Sequence, residues 1–178
     1  MKKLLIVTLF ALSFSALANE HFEYAVNKLI CFEGEKLDRS IGKTYSKYGI
    51  TRPTLKRYNG RTDIENLTKE TAKKIIKKLY WDEFELDRII DSRSALLVLD
   101  FVYNSNGYNA IKQIQKAIGN KVTGKLSTSD IIKINYMSYK DFYKLYSKHR
   151  LNYMKSLGKK WKKFGSGWYS RVKKLGEL

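Results

Sequence analysis

Apolar residues recur along this chain at intervals of three and four, which is the spacing of amphipathic α-helices. The first such stretch runs to about residue 33. Its apolar face consists of Phe22, Ala25, Val26, Leu29 and Ile30. The strict alternation that marks a β-strand is almost absent. The pattern therefore predicts an all-α protein.

The same periodicity, combined with capping residues, predicts six further helices. They are expected over Pro53 to about Gly60, over Lys69 to Tyr80 behind the N-cap Thr68, over Ala95 to Tyr103 opened by Ser92 or Ser94, over Tyr108 to Ile118 before Gly119, over Thr128 to Ile134 behind Ser127, and from Ser138, in a capping box with Asp141, to about Leu157. The third of these is apolar on all sides, which places it in the core. Asn104 to Gly107 is predicted to be a break between two lobes.

The N-terminus has the composition of a secretion signal. Lys2 and Lys3 precede an almost wholly apolar run over residues 4–17, and Ala16 and Ala18 supply the small residues that signal peptidase recognises. This run is shorter than the ~20 residues that a membrane-spanning helix needs. We therefore expect residues 1–18 to be a signal peptide, the mature chain to begin near Asn19, and the protein to be periplasmic or secreted, with no stable membrane anchor.

The chain is strongly basic. It has 35 Lys and Arg residues against 17 Asp and Glu residues, and a formal net charge of +18. Such a surface attracts nucleic acid, anionic lipid or the carboxylate-rich peptides of a cell wall. Export favours the wall, so a nucleic-acid partner is not expected.

Few residues suit a disulfide or a metal site. Cys31 is the one cysteine, so it cannot form an internal disulfide, and we expect it to be a small buried hydrophobe. One cysteine and two histidines offer few ligands for a metal ion. Neither a metal nor any other cofactor is expected.

Glu33 is the main candidate for catalysis. It lies at the end of the first predicted helix, on the edge of the apolar face. An apolar flank and the negative end of a helix dipole both disfavour the ionised carboxylate. A carboxyl group that stays protonated in this way can act as a general acid. A solvated helix-end glutamate is the alternative, and spacing alone does not decide between the two.

The stretch from Cys31 to Thr51 resembles the start of the glycoside hydrolase family 108 domain, a lysozyme-like muramidase. Glu33-Gly34 matches the family's opening E-G-G-Y, while Glu35 and Lys36 differ from it. Gly42, Thr44 and Tyr48-Gly49-Ile50-Thr51 match the family's G-G-x-T-x-x-G-I-T motif. The similarity continues over residues 67–84, 99–119 and 161–172. It therefore extends over essentially the whole mature chain.

This resemblance implies a lysozyme-like helical domain over residues 19–105 and a C-terminal helical lobe that binds peptidoglycan over residues 106–178. The implied reaction is hydrolysis of the β-1,4 bond between N-acetylmuramic acid and N-acetylglucosamine. The implied partners are the glycan strands of peptidoglycan. Enzymes of this kind open the wall for phage lysis, or locally for a secretion system or an exported toxin. We expect a monomer.

The resemblance also assigns site residues. Glu33 occupies the position of the family's catalytic glutamate and is expected to be the general acid. Asp38 lies in the loop where the family carries aspartates and is a candidate second carboxylate, with a solvated loop position as an equal alternative. Flat aromatic faces and amides suit sugars. The expected substrate-binding residues are Thr44, Tyr48, Asn104 and Trp168. A structural role is an equal alternative for Tyr48 and Asn104, and core packing is the favoured alternative for Trp168.

Two other classes of protein fit parts of the sequence. The departures from the family motif after Glu33 are compatible with a non-catalytic protein that binds peptidoglycan or assists secretion. The basic and aromatic segment from Trp161 to Gly165 is compatible with a factor that binds polyanions or membranes.

Overall fold

The computed structural model describes residues 19–39, 45–61 and 63–178, and this part of the chain is mainly helical. Helix α1 covers residues 19–33. It is followed by strands β1 (Ser46–Lys47) and β2 (Ile50–Thr51) and by helices α2 (Arg52–Asn59), α3 (Lys69–Ile76), α4 (Ser92–Asn104), α5 (Gly107–Ile118), α6 (Thr128–Tyr136), α7 (Tyr139–Ser156) and α8 (Lys159–Gly176). The all-α prediction is confirmed, with one short antiparallel hairpin as the addition. The predicted signal peptide lies outside the described residues.

Three short segments complete the fold. Ile64–Asn66 and Leu86–Arg88 are single turns of 3-10 helix, and Lys77–Trp81 continues α3 as a π-helix. The expected α-helix to Tyr80 therefore ends at Ile76 and widens into a π-helical turn, in which the N–H of Asp82 bonds to the carbonyl of Lys77 at 2.8 Å. Within the described residues, no helix is both long enough and apolar enough to cross a bilayer.

The helix caps follow the sequence with two corrections. At the start of α7 the Ser138 hydroxyl accepts the N–H of Asp141 and donates to the Asp141 carboxylate, so it is a single N-cap and not the predicted capping box. Thr68 accepts a backbone N–H at the start of α3, and Ser127 forms a capping box with Asp130 at the start of α6. Helix α4 is capped by Asp91, whose carboxylate accepts the N–H of Ser94 at 2.8 Å. The predicted serine cap is wrong because an aspartate one residue earlier makes the same bond. The prediction that Cys31 is buried is also wrong, since it is exposed.

Helix α4 is the centre of the core. Every residue from Ser94 to Val102 is buried, and the helix packs against α5, α7 and the π-helical segment. Phe101 packs edge-on against Tyr146 of α7, with ring centroids 5.8 Å apart. This packing holds the C-terminal end of α4 in a fixed position, where Asn104 lies.

Helix α8 returns to the N-terminal part of the chain. It packs along α7, and its Arg171 guanidinium lies over the ring of Phe32 in α1, 5.3 Å from the ring centroid. The last helix thus contacts the first one beside Glu33. The domain boundary at residue 105 stays a prediction, and contacts between the two sides of it build the site described next.

Candidate active site

Glu33 is the last residue of α1, and its side chain is only 15% exposed. Gly34 follows with a φ of 82°, and its N–H bonds to the carbonyl of Ile30 at 2.9 Å. A left-handed residue of this kind ends a helix at little cost when it is glycine. The chain therefore turns away directly after Glu33 and leaves its carboxyl group at the surface of the core.

An open groove of about 380 Å³, here called the catalytic groove, lies beside this carboxyl group. The hairpin forms one side of it and the C-terminal end of α4 forms the other. Its lining is mostly polar and consists of Glu33, Lys36, Asp38, Ser46, Gly49, Thr51, Tyr103, Asn104 and Ser105. Hydroxyl, amide and charged groups of this kind can bind the hydroxyls of a sugar.

Two donors hold one oxygen of the Glu33 carboxyl group. Oε1 accepts from Nδ2 of Asn104 at 3.1 Å and from Nη2 of Arg171 at 2.6 Å. The amide of Asn104 is itself fixed, because it also donates to the carbonyl of Asp100 at 3.1 Å. Glu33 therefore has a defined orientation towards the groove.

Arg171 is shared between Glu33 and a second, deeper carboxylate. Asp100 has no exposed surface. Its Oδ2 accepts from Nε of Arg171 at 2.7 Å and lies 2.5 Å from Nη2 of the same guanidinium. Its Oδ1 accepts from Nη1 of the fully buried Arg150 at 2.5 Å. The Tyr146 hydroxyl also contacts Arg150. Two cations and two carboxylates thus form one buried network that ends at the groove.

The pKa of Glu33 is raised above the ordinary value of a glutamate. Burial is the largest cause, and the charge of Arg171 opposes it while Asp100 adds to it. Burial would also raise the pKa of Asp100, but Arg150 and Arg171 outweigh it and hold that pKa below its ordinary value. The deeper carboxylate, Asp100, is therefore ionised and pairs with Arg171. Of the two carboxyl groups, Glu33 is the one that binds a proton more readily.

Arg171 sets the alkaline limit of activity if Glu33 must be protonated to act. Removing a cation beside a carboxyl group destabilises its ionised form, so Arg171→Gln should raise the pKa of Glu33 further. The fall of kcat/KM on the alkaline side should then move to higher pH than in the wild type. A pH profile of kcat/KM tests this, with Lys173→Gln on an exposed position of the same helix as the control. An unchanged or lower limit in Arg171→Gln would contradict it.

The turn of the hairpin packs directly on Glu33. Tyr48 and Gly49 both have positive φ values, 56° and 75°, and the Tyr103 hydroxyl donates to the carbonyl of Tyr48 at 2.9 Å. A Cβ atom at position 49 would lie 2.7 Å from Oε2 of Glu33. Glycine is therefore required here both by the backbone conformation and by the close approach of the carboxyl group.

We expect Gly49→Ala to lower activity by roughly 10- to 100-fold, because the new methyl group displaces the carboxyl group of Glu33. The left-handed backbone should also cost about 1–2 kcal/mol of stability. Gly60→Ala is the matched control, since Gly60 has a φ of 77° and open space around its Cβ position. Hydrolysis assays and thermal unfolding should show similar destabilisation in both variants and lost activity in Gly49→Ala alone. Equal activity in the two variants would contradict this geometry.

The structure brings three of the six predicted site residues together. Glu33, Asp38 and Asn104 all line the catalytic groove. Tyr48 is only 8% exposed and its ring belongs to the core. Trp168 lies on α8, where it packs against Trp161 and Phe164 rather than in the groove. Thr44 lies outside the described residues.

Three residues of the site were missed in the sequence: Asp100, Arg171 and Tyr103. Asp100 carries a signal that could have been used, because a single carboxylate inside an apolar helix must have a buried cationic partner. Arg171 carries none, since it is one of 35 basic residues and lies 138 positions from Glu33. Only the fold brings these two side chains together.

A buried carboxyl group with a raised pKa, placed at the wall of an open polar groove, is the arrangement of the acid in a glycoside hydrolase. Residues 33–106 match the sequence profile of the Glycosyl hydrolase 108 family. This part of the chain is thus similar to the glycoside hydrolase family 108 domain, and the resemblance seen in the sequence is confirmed over residues 33–106.

The fold is similar to that of a solved structure, SagA of Brucella abortus. The TM-score is 0.77 at 26% sequence identity, and the match covers 89% of this chain and 93% of that one. The similarity thus includes the helices that follow residue 106. No curated protein sequence gives a significant match. Among the described residues, no group of three or more His, Cys, Asp or Glu side chains is arranged to hold a metal ion.

Proposed function

We propose that this protein is an N-acetylmuramidase, which hydrolyses the β-1,4 bond between N-acetylmuramic acid and N-acetylglucosamine in peptidoglycan. The observation that carries the proposal is the Glu33 carboxyl group, buried at the wall of the catalytic groove with a raised pKa. The match of residues 33–106 to a glycoside hydrolase family supports a glycan as the substrate, and the resemblance of the sequence to lysozyme-like muramidases supports peptidoglycan.

Glu33 is the general acid in this proposal. It donates its proton to the glycosidic oxygen as the bond from that oxygen to the anomeric carbon breaks, and the leaving sugar departs with a hydroxyl group. The ionised carboxylate that results is stabilised by the Arg171 guanidinium at 2.6 Å and by the Asn104 amide at 3.1 Å. Water adds to the oxocarbenium-like centre on the other sugar and releases one proton, and the uptake of a proton by the Glu33 carboxylate restores the acid and completes the hydrolysis.

Asp38 is the proposed second carboxylate. It lines the same groove as Glu33, and its backbone is fixed by two hydrogen bonds to Ser46, at 2.7 and 3.0 Å. A negative charge at that position would stabilise the positive charge that develops on the sugar, or would orient the attacking water. Asp38→Asn should therefore lower activity without a comparable loss of stability, because Asp38 is exposed.

The proposed setting is the cell wall outside the membrane, where the protein opens peptidoglycan for wall remodelling or for a secretion system or exported toxin. The apolar leader in the sequence supports export. Without Lys2 and Lys3 the mature chain keeps 33 basic against 17 acidic residues, and this excess supports attraction to a wall whose peptides carry carboxylates.

Mass spectrometry of digested, purified peptidoglycan tests the reaction. A muramidase gives fragments that end in reducing N-acetylmuramic acid. Fragments with anhydro ends would identify a lytic transglycosylase. Fragments that end in reducing N-acetylglucosamine would identify a glucosaminidase. Either result would overturn the proposal. Intact glycan that still binds the protein would identify a non-catalytic wall-binding protein. Glu33→Gln is the control for a contaminating hydrolase.

A further inference from the structure

A second cavity lies next to the catalytic groove and plays no part in the acid step. It has a volume of about 400 Å³ and is formed by α2, the π-helical segment, the following turn, and the junction between α4 and α5. We call it the side pocket. Its apolar part consists of the buried Phe84 and Val102 and the partly buried Leu79, and its exposed residues include Arg57, Glu83 and Tyr108.

The side pocket and the catalytic groove are direct neighbours. Ser105 lines both of them. Tyr80 of the side pocket packs edge-on against Tyr103 of the groove, with ring centroids 4.8 Å apart. A polymer whose backbone lies in the groove would therefore place a branch at the entrance of the side pocket.

The side pocket carries one charge of each sign, and neither has an ion-pair partner among the described residues. The Arg57 guanidinium lies 6.0 Å from the centroid of the Tyr80 ring. Oε1 of Glu83 accepts from the Tyr108 hydroxyl at 3.1 Å. Arg57 is thus available to a carboxylate, and the second oxygen of Glu83 is available to a cation.

The shape of the pocket is fixed by close packing. The ring of Phe84 packs edge-on against Tyr108, with centroids 5.7 Å apart. Phe84 also lies so close to Gly107 that a Cβ atom there would collide with its ring. The apolar surface is therefore preformed rather than created by a ligand.

We propose that the side pocket binds the peptide stem of the glycan strand, with a stem carboxylate on Arg57, a stem amino group on Glu83, and alanine methyl groups on the apolar surface. This inference rests on the proposed function. A stem peptide matches both charges and the apolar surface, whereas a stretch of N-acetylated sugars has no cation to offer Glu83. The side pocket would thus make the enzyme prefer glycan that still carries its peptides.

The test compares soluble glycan strands with and without stems, the latter prepared by treating the same strands with an amidase. The ratio of kcat/KM on the two substrates measures the contribution of the stem. We expect Arg57→Gln and Glu83→Gln each to lower this ratio about tenfold, the size of one hydrogen bond to a charged group. Lys56→Gln and Glu70→Gln, at exposed positions outside both cavities, are the matched controls.

The free stem peptide separates this inference from the proposed function. We expect the tetrapeptide released by the amidase to bind the wild-type protein, and each pocket variant to bind it about tenfold more weakly. Peptide binding without hydrolysis of the glycan would overturn the proposed function alone. The inference would be overturned if both variants hydrolyse glycan with the wild-type ratio of kcat/KM on the two substrates. This includes the case in which kcat/KM falls equally on both substrates, which would indicate a sugar-binding site.

Discussion

Glu33→Gln should lower the rate of peptidoglycan hydrolysis by roughly 10²- to 10⁴-fold, the contribution of a positioned general acid. Glutamine cannot donate a proton to the leaving oxygen, but it has almost the same shape. Its carbonyl oxygen can accept the hydrogen bonds from Asn104 and Arg171 that Glu33 accepts. The variant should therefore remain folded and still bind glycan.

A zymogram on purified wall and a solution assay measure this effect. Glu35→Gln is the matched control, since Glu35 is two residues away, is exposed, and pairs with Lys69 at 2.8 Å outside the catalytic groove. We expect Glu35→Gln to keep its activity and its unfolding temperature. A Glu33→Gln protein that hydrolyses peptidoglycan at a rate close to that of the wild type would rule out Glu33 as the acid.

Asp100→Asn should lower the free energy of unfolding by about 3–5 kcal/mol, because it leaves buried cations without their counter-charge. Arg150 has no exposed surface, and its Nη1 donates to Asp100 at 2.5 Å. Its Nε and Nη2 atoms have no hydrogen-bond partner in the described part of the chain. Asparagine keeps an oxygen that can accept one hydrogen bond, but it removes the carboxylate charge that Arg150 pairs with in the described part of the chain.

The same network predicts an order of effects. Arg150→Met removes a buried charge that is poorly satisfied and leaves Asp100 paired with Arg171, so it should destabilise the protein less than Asp100→Asn. Thermal and denaturant unfolding measure both. Asp82→Asn is the control, because Asp82 pairs with Lys77 at an exposed position and should change little. Equal effects of Asp100→Asn and Asp82→Asn would show that the network does not stabilise the fold.

Much of the fold follows from local patterns in the sequence. Helix α5 ends at Gly119, with a φ of 69°, as glycine after an amphipathic stretch predicts. The apolar helix α4 is buried as its composition predicts. The hairpin was not predicted, because two strands of two residues each are too short to show any alternation. The π-helical turn after Ile76 has no local signal either.

The site was only partly predictable for a related reason. The position of Glu33 at a helix end and its motif are local features, and Asn104 was proposed from the resemblance to the family; the roles of both stay predictions. The pKa of Glu33 depends instead on burial, on Arg171 and on Asp100, and those residues meet only when α8 packs beside α1. Tyr48 had two interpretations in the sequence, a sugar contact and a structural role, and the burial of its ring agrees with the structural one.

The most direct measurement is an NMR titration of the Glu33 side-chain carboxyl carbon, assigned by its absence in Glu33→Gln. We predict a midpoint above the ordinary pKa of glutamate, about 4.3. We also predict that it coincides with the alkaline fall of kcat/KM, which reports the essential acid of the free enzyme. A midpoint at or below the ordinary value would contradict the account, because Glu33 would then be ionised where the enzyme needs its proton.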